Sequence, residues 1–230
     1  MYLYKVISII KSCDEISIYR LEPTGNEKIE YKPGQFIMLH LLGEKKQTID
    51  KRPYSIASSP SEPYIELAIK NVNGRFTSKL NAIKTGDLVG VEGPFGHFYF
   101  NNENKAAFIA GGVGITPLMS MLRHIIKNKI KGTYKLFYSC KTQNDILYRE
   151  ELEEMKKKGI EVIIFLTREE TVPAGYEKGR IDEGRIRKYV KNPNEFVYFM
   201  CGPSNLVSSL KDLLIKMNVP ETSIKFESWG

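Results

Sequence analysis

A change of rhythm near residue 100 constrains this chain more than any other feature. Before it, short runs rich in β-branched and aromatic residues (Val6–Ile10, Glu15–Leu21, Gln35–Leu42, Arg52–Ala57, Tyr64–Lys70 and Leu88–Glu92) are separated by turn residues such as Pro23-Thr24-Gly25, Lys32-Pro33-Gly34 and Asn73-Gly74. Many strands at a spacing of about ten residues predict a small antiparallel barrel. Only Phe76–Ala82 leaves room there for a helical turn or two. The polar stretch Asn101-Asn102-Glu103-Asn104-Lys105 reads as a linker. Beyond it the strands Ala106–Ala110, Tyr134–Ser139, Glu161–Leu166, Glu195–Met200 and Ser223–Phe226 are interleaved with helices at Pro117–Lys129, Tyr148–Lys158 and Ser204–Lys216. Apolar strands too uniform to alternate, followed by helices, predict a parallel sheet covered on both faces. The expected fold is therefore a two-domain β + α/β chain. Residues 1–100 form a small antiparallel Greek-key β-barrel, and residues 101–230 form a doubly wound parallel-sheet domain.

Composition excludes several function classes. Hydrophobic residues make up 42% of the 230 positions and aromatics 11%, enough apolar mass to bury cores and to argue against disorder. No apolar run approaches the roughly 18–20 residues that span a bilayer, and Met1–Lys5 does not open a secretory leader. The three cysteines, Cys13, Cys140 and Cys201, are far apart, with no CxxC pair to begin a zinc site or an iron–sulfur cluster. His40, His97 and His124 lack ligand spacing, so no metal is expected. Without a disulfide framework the expected home is the cytoplasm. The net charge is +7, with an excess of +2 in residues 1–100 and +5 in residues 101–230. Acidic residues are mixed in throughout and no basic–aromatic stripe occurs. Neither nucleic acid nor a membrane is expected as a partner, whereas an acidic protein would suit the positive excess.

Chemistry concentrates in a few places. Ala110-Gly111-Gly112-Val113-Gly114-Ile115-Thr116-Pro117 follows an apolar strand and opens a helix, with Thr116 expected as N-cap and Pro117 at the first helical position. Glycines admit a diphosphate close to the backbone, and the helix start supplies free N–H groups. Gly112-x-Gly114 departs from GxGxxG, because Pro117 stands at the third glycine. A second turn of this kind, Cys201-Gly202-Pro203-Ser204, follows another strand. In a doubly wound sheet two such turns can face one ligand where the strand order reverses. In the first half, Arg52-Pro53-Tyr54-Ser55 puts Arg52 and Tyr54 on one face of a strand. An arginine grips phosphate bidentately, and a tyrosine covers an aromatic ring. Gly74-Arg75-Phe76-Thr77-Ser78 is a glycine turn with hydroxyls entering a helix.

In order along the chain these pieces are Arg52-x-Tyr54-Ser55, Gly74-x-x-Thr77, Gly93-Pro94-Phe95-Gly96, Gly111-Gly112-x-Gly114-Ile115-Thr116-Pro117, Cys201-Gly202-Pro203 and Glu227-x-Trp229. The set resembles the ferredoxin–NADP reductase superfamily, which includes cytochrome b5 reductases and oxygenase reductase components. The resemblance implies FAD, rather than FMN, bound by Arg52, Pro53, Tyr54, Ser55, Ile69, Lys70, Gly74 and Thr77, with Trp229 stacked on the exposed flavin face. It implies NADPH or NADH bound by Gly111, Gly112, Gly114, Thr116, Pro117, Cys201, Gly202 and Pro203. Ser55, Cys201 and Glu227 would flank the site of hydride transfer as catalytic residues. Lys141 with Thr167 and Arg168 would meet a 2′-phosphate, which leans toward NADPH, although similar arginines occur in NADH-using relatives. Electrons would leave to a separate carrier such as an acidic ferredoxin or flavodoxin. Two alternatives stand beside this reading: the flavin-bearing electron-transfer subunit of a larger complex, similar to that of dihydroorotate dehydrogenase, and a non-enzymatic nucleotide-binding module.

Overall fold

The computed structural model describes residues 1–13 and 15–229, with Trp229 by its backbone alone. The chain divides into two compact units, Met1–Phe100 with Met119–His124, and Asn101–Leu118 with Ile125–Gly230.

The first unit is an all-antiparallel sheet of β1 (Tyr2–Cys13), β2 (Ile16–Pro23), β3 (Phe36–Leu42), β4 (Thr48–Ser55), β5 (Ile65–Lys70) and β6 (Leu88–Phe95), joined in the order β4-β3-β6-β1-β2-β5. Period-two alternation on β3 sends Ile37, Leu39 and Leu41 into a core shared with Val6, Leu21, Leu67, Val89 and Val91. Helix α1 (Arg75–Leu80) buries Phe76 and Leu80 in the same core. Several expected boundaries move: Val6–Ile10 is observed as Tyr2–Cys13 and Glu15–Leu21 as Ile16–Pro23. Arg52–Ala57 is observed as Thr48–Ser55, because Ile56 and Ala57 leave the ladder to bond the carbonyls of Gln35 and Glu66. β6 continues past Glu92 through Gly93-Pro94-Phe95, with Phe95 opposite Phe36.

A buried ion cluster lies inside this unit. Glu66 is 1% exposed and takes Arg20 Nε at 2.8 Å and Arg123 Nη1 at 2.7 Å. Burial disfavours its charge, but the two guanidinium groups outweigh that and hold the carboxyl below its usual range.

The second unit is an all-parallel sheet of β7 (Lys105–Gly111), β8 (Thr133–Cys140), β9 (Glu161–Leu166), β10 (Glu177–Lys178), β11 (Val197–Pro203) and β12 (Ile224–Trp229), in the order β10-β9-β8-β7-β11-β12. The chain runs from β7 outward to β10 and then returns to place β11 on the other side of β7. The strand order therefore reverses between β7 and β11. Helices α2 (Ile115–Lys127), α3 (Arg149–Lys157), α4 (Glu183–Tyr189) and α5 (Ser204–Lys216) connect the strands. The sheet core is aromatic, with Phe108 stacked on Phe199 and Phe137 on Phe165.

Sequence periodicity missed β10 and α4. The helix has seven residues and buries only Ile186, too little for a period to show, although its N-cap Asp182 does accept from Arg185 N at 2.9 Å. The expected N-cap Thr116 is instead inside α2. A 3-10 turn, Gly112–Gly114, precedes the helix, and Thr116 Oγ1 donates to Val113 O at 2.7 Å. Pro117 is the third residue of α2, where its missing N–H still has no helical partner to lose.

Candidate functional site

In the first unit the candidate residues converge on β4, an edge strand. Asp50, Arg52 and Tyr54 alternate with Lys51 and Pro53, so one face carries an acid, a guanidinium and a phenol ring. Against β3, Arg52 stands opposite Leu39, Pro53 opposite Met38, Tyr54 opposite Ile37 and Ser55 opposite Phe36. Tyr54 is half-buried on the barrel core, its ring 5.8 Å from that of Phe76. Burial pushes its phenol up to about 12, so the hydroxyl stays protonated at neutral pH. Arg52 Nη1 donates to Asp50 Oδ1 at 3.1 Å and to Lys51 O at 2.7 Å, and its Cζ lies 5.9 Å from the Phe76 ring centre. The structure thus joins Arg52 and Tyr54 to the start of α1.

Gly74 caps that helix with a φ of −80°. A Cβ there would meet nothing closer than Val72 Cγ2 at 3.6 Å. Neither conformation nor packing calls for glycine, so what the residue provides is room beside the backbone. Thr77 Oγ1 accepts from Gly74 N at 3.1 Å and donates to Gly74 O at 3.3 Å, so this hydroxyl holds the turn. Ile69 is in the core, and Lys70 Nζ is 3.0 Å from Glu15 Oε2.

In the second unit the two glycine segments meet where the strand order reverses. Cys201, Gly202 and Pro203 are not a free turn but the end of β11, and α5 starts at Ser204. A Cβ on Gly114 would sit 2.2 Å from Cys201 O, and one on Gly202 would sit 3.1 Å from Gly111 Cα. One on Gly111 would sit 2.5 Å from Leu206 Cδ2. These three glycines are therefore explained by the close approach of the two segments. Gly112 differs: its φ is +53° and an added Cβ would meet nothing within 4 Å.

β12 reaches past the expected Phe226 and carries two more candidates into the sheet. Its register sets Glu227 opposite Cys201, Ser228 opposite Gly202 and Trp229 opposite Pro203. Cys201 is 0% exposed, and burial followed by the Glu227 charge pushes its thiol well up, so it stays a protonated thiol. Burial pushes the Glu227 carboxyl up to about 7. The stacking expected of Trp229 falls outside the described residues.

Strand-end pairing also unites Lys141 with Arg168. Thr167 N and Oγ1 both donate to Cys140 O, at 2.9 and 3.0 Å, and Arg168 N donates to Lys141 O at 2.8 Å. Sequence reading missed Glu169, whose Oε1 accepts from Gln143 N at 2.9 Å in the same loop pair. Only the fold makes residues 26 positions apart neighbours there. It also missed Asp50, although two-residue alternation from Arg52 was a usable signal. Among the described residues no group of three or more His, Cys, Asp or Glu could hold a metal ion, and no helix is long and apolar enough to cross a membrane.

Comparison with known proteins assigns the two halves. Residues 4–100 match an oxidoreductase FAD-binding domain, and residues 108–212 an oxidoreductase NAD-binding domain. The chain is 27% identical over 236 residues to the reductase component of propane 2-monooxygenase from Mycolicibacterium goodii, covering 98% of this chain and 66% of that protein. It is 24% identical over 238 residues to a flavohemoprotein from Oceanobacillus iheyensis, covering 99% of this chain and 58% of that protein. The chain thus spans about three-fifths to two-thirds of the length of these relatives. The flavohem-like FAD/NAD-binding domain of nitric oxide dioxygenase from Vibrio cholerae superposes with a TM-score of 0.89, at 20% identity, over 100% of this chain and 98% of that one.

Proposed function

This chain joins an oxidoreductase FAD-binding domain to an oxidoreductase NAD-binding domain, and from that premise we propose that it is a reductase of the ferredoxin–NADP reductase superfamily that moves electrons from NAD(P)H through FAD to a separate acceptor. The observation that carries the proposal furthest is the meeting of Gly111–Gly114 with Cys201–Pro203 at the reversal of strand order, where open α/β sheets bind ligands.

The residues fit the two nucleotides. In the first unit a half-exposed guanidinium and an amphipathic ring share one face beside Gly74, where no protein atom comes closer than 3.6 Å to the place of a Cβ. That donor set suits a phosphate and a flat ring: Arg52 would hold the flavin phosphate, Tyr54 with Ser55 would take the isoalloxazine, and Gly74 with the Thr77-closed turn would admit the diphosphate. In the second unit Gly112, left-handed and uncrowded, gives the dinucleotide an approach to the backbone, and Gly111, Gly114 and Gly202 let the two segments close up beneath it. Lys141 and Arg168 place positive charge by the adenosine ribose. Pro53, Thr116, Pro117 and Pro203 shape these segments.

A bound flavin accepts two electrons together and releases them singly, which is the cofactor's own chemistry. The protein's part is positioning and exclusion of water. Cys201 contributes a protonated, uncharged thiol at the end of β11, where it would flank a bound nicotinamide. Glu227 holds a proton at its carboxyl below about pH 7 and so adds no full charge beside that thiol. The acceptor we propose is a small acidic electron carrier of the ferredoxin or flavodoxin kind, in keeping with the net charge of +7.

The visible spectrum of the purified protein, followed by anaerobic addition of NADPH or NADH, tests the reading. A yellow protein that bleaches supports it, and the faster nucleotide identifies the donor. A colourless protein that takes up no added FAD overturns it. Arg52→Ala is expected to weaken FAD about 10–100-fold through loss of charge-assisted phosphate bonds. Unchanged affinity in a flavin titration removes Arg52 from the site.

A further inference from the structure

The carboxylate of Asp50 is not explained by the fold. Its side chain is 9% exposed on an edge strand, where a charge normally faces water. Oδ1 takes two donors, Lys51 N at 2.9 Å and Arg52 Nη1 at 3.1 Å. Oδ2 is buried with no hydrogen bond and lies 3.5 Å from Nε of Arg75, the first residue of α1. Arg75 is 74% exposed, and this ion pair is its one polar contact among the described residues. Arg52 spends only Nη1 on protein acceptors, which leaves its other N–H groups to a ligand.

We propose that Asp50 is a positioning residue that braces Arg52 and Arg75 side by side, so that the two guanidinium groups present one diphosphate-binding face. The proposal rests on the reading of Arg52 as a phosphate ligand. Two cations brought together repel, and each long side chain loses rotamer freedom when it binds an anion. A near-buried carboxylate between them offsets the repulsion and holds both forks before the ligand arrives. Two forks match two phosphate groups, so the brace favours FAD over a flavin with one phosphate or none.

The sign of one measurement decides the matter. A carboxylate close to a phosphate repels it, so if Asp50 acted by charge alone, Asp50→Asn would tighten FAD. As a brace its loss weakens FAD. Titration of flavin-depleted protein, followed by fluorescence, is expected to show Asp50→Asn binding FAD about tenfold more weakly, with riboflavin, which has no phosphate, unchanged. Asp50→Glu recovers part of the loss. Arg75→Ala, a surface change that leaves thermal unfolding unaltered, also weakens FAD, and adding Asp50→Asn to it costs less than it does alone. FAD affinity that is unchanged or tighter in Asp50→Asn overturns the brace, as does an equal loss of FAD and riboflavin. If Arg52→Ala weakens FAD while Asp50→Asn does not, the brace alone fails. If Arg52→Ala binds FAD normally, the phosphate reading fails and takes the brace with it.

Discussion

The two units solve the same problem, holding a nucleotide, with opposite materials. In the antiparallel unit the candidate site is made of side chains on an edge strand: Asp50, Arg52 and Tyr54 share one face of β4, with Arg52 and Tyr54 against Phe76. In the parallel unit it is made mostly of backbone, because both faces of the sheet are covered and only the strand ends are open. There the glycines Gly111, Gly114 and Gly202 let two segments touch, and side chains are secondary. An antiparallel edge can carry charge at alternate positions, whereas a buried parallel sheet can offer only what emerges at the carboxyl ends of its strands.

The interiors contrast as well, and this is where the largest effect is expected. The first unit contains the Arg20–Glu66–Arg123 cluster, while the second packs Phe108, Phe137, Phe165 and Phe199. Glu66→Ala removes the carboxylate shared by Arg20 and the part-buried Arg123 and should destabilise the first unit by about 3–5 kcal/mol in denaturant unfolding. Because the native carboxyl is held below its usual range, this contribution is present above about pH 4.5 and is lost as pH falls. A Glu66→Ala protein as stable as the wild type at neutral pH would show that the cluster does not hold the unit together.

Gly114→Ala comes next, and it probes the backbone-built site. Its Cβ would stand 2.2 Å from Cys201 O, so the Gly112–Gly114 turn and the end of β11 must separate, at about 2–3 kcal/mol. Gly112→Ala meets no atom and costs only about 1 kcal/mol for its positive φ, while nucleotide binding weakens. Thermal unfolding and nucleotide titration of the pair separate packing from binding. Equal destabilisation would break the distinction between the two glycines.

A smaller effect than that of Gly114→Ala sharpens the electrostatic side of the comparison. Glu227, in the second unit, is shifted opposite to Glu66: burial raises it to about 7. Its native form therefore binds a proton that the unfolded chain has released, and stability falls as pH rises from about 4.5 to 7. Glu227→Gln should erase that slope, worth about 1–2 kcal/mol after allowance for partial exposure. A wild-type pH–stability curve that the substitution leaves unchanged would show that the carboxyl is not buried enough to matter.

How much could be read in advance depends on the range of the interaction. The barrel strands, the parallel strands and the Arg52/Tyr54 face follow from local periodicity, which Ile37, Leu39 and Leu41 obey residue by residue. Helix α4 was hidden because one buried residue makes no period, and the reach of β12 to Trp229 was hidden because Glu227 and Ser228 do not look like strand interior. By itself the sequence determined what each segment can become: alternation makes strands, and glycines permit tight backbone. Only the tertiary structure decided which segments meet. It put Glu227 beside Cys201, Glu169 on Gln143, Arg168 beside Lys141, and Arg52 and Arg75 on either side of Asp50. Strand order and register set those distances, and they come from burial summed over a whole sheet, which no short window of sequence contains.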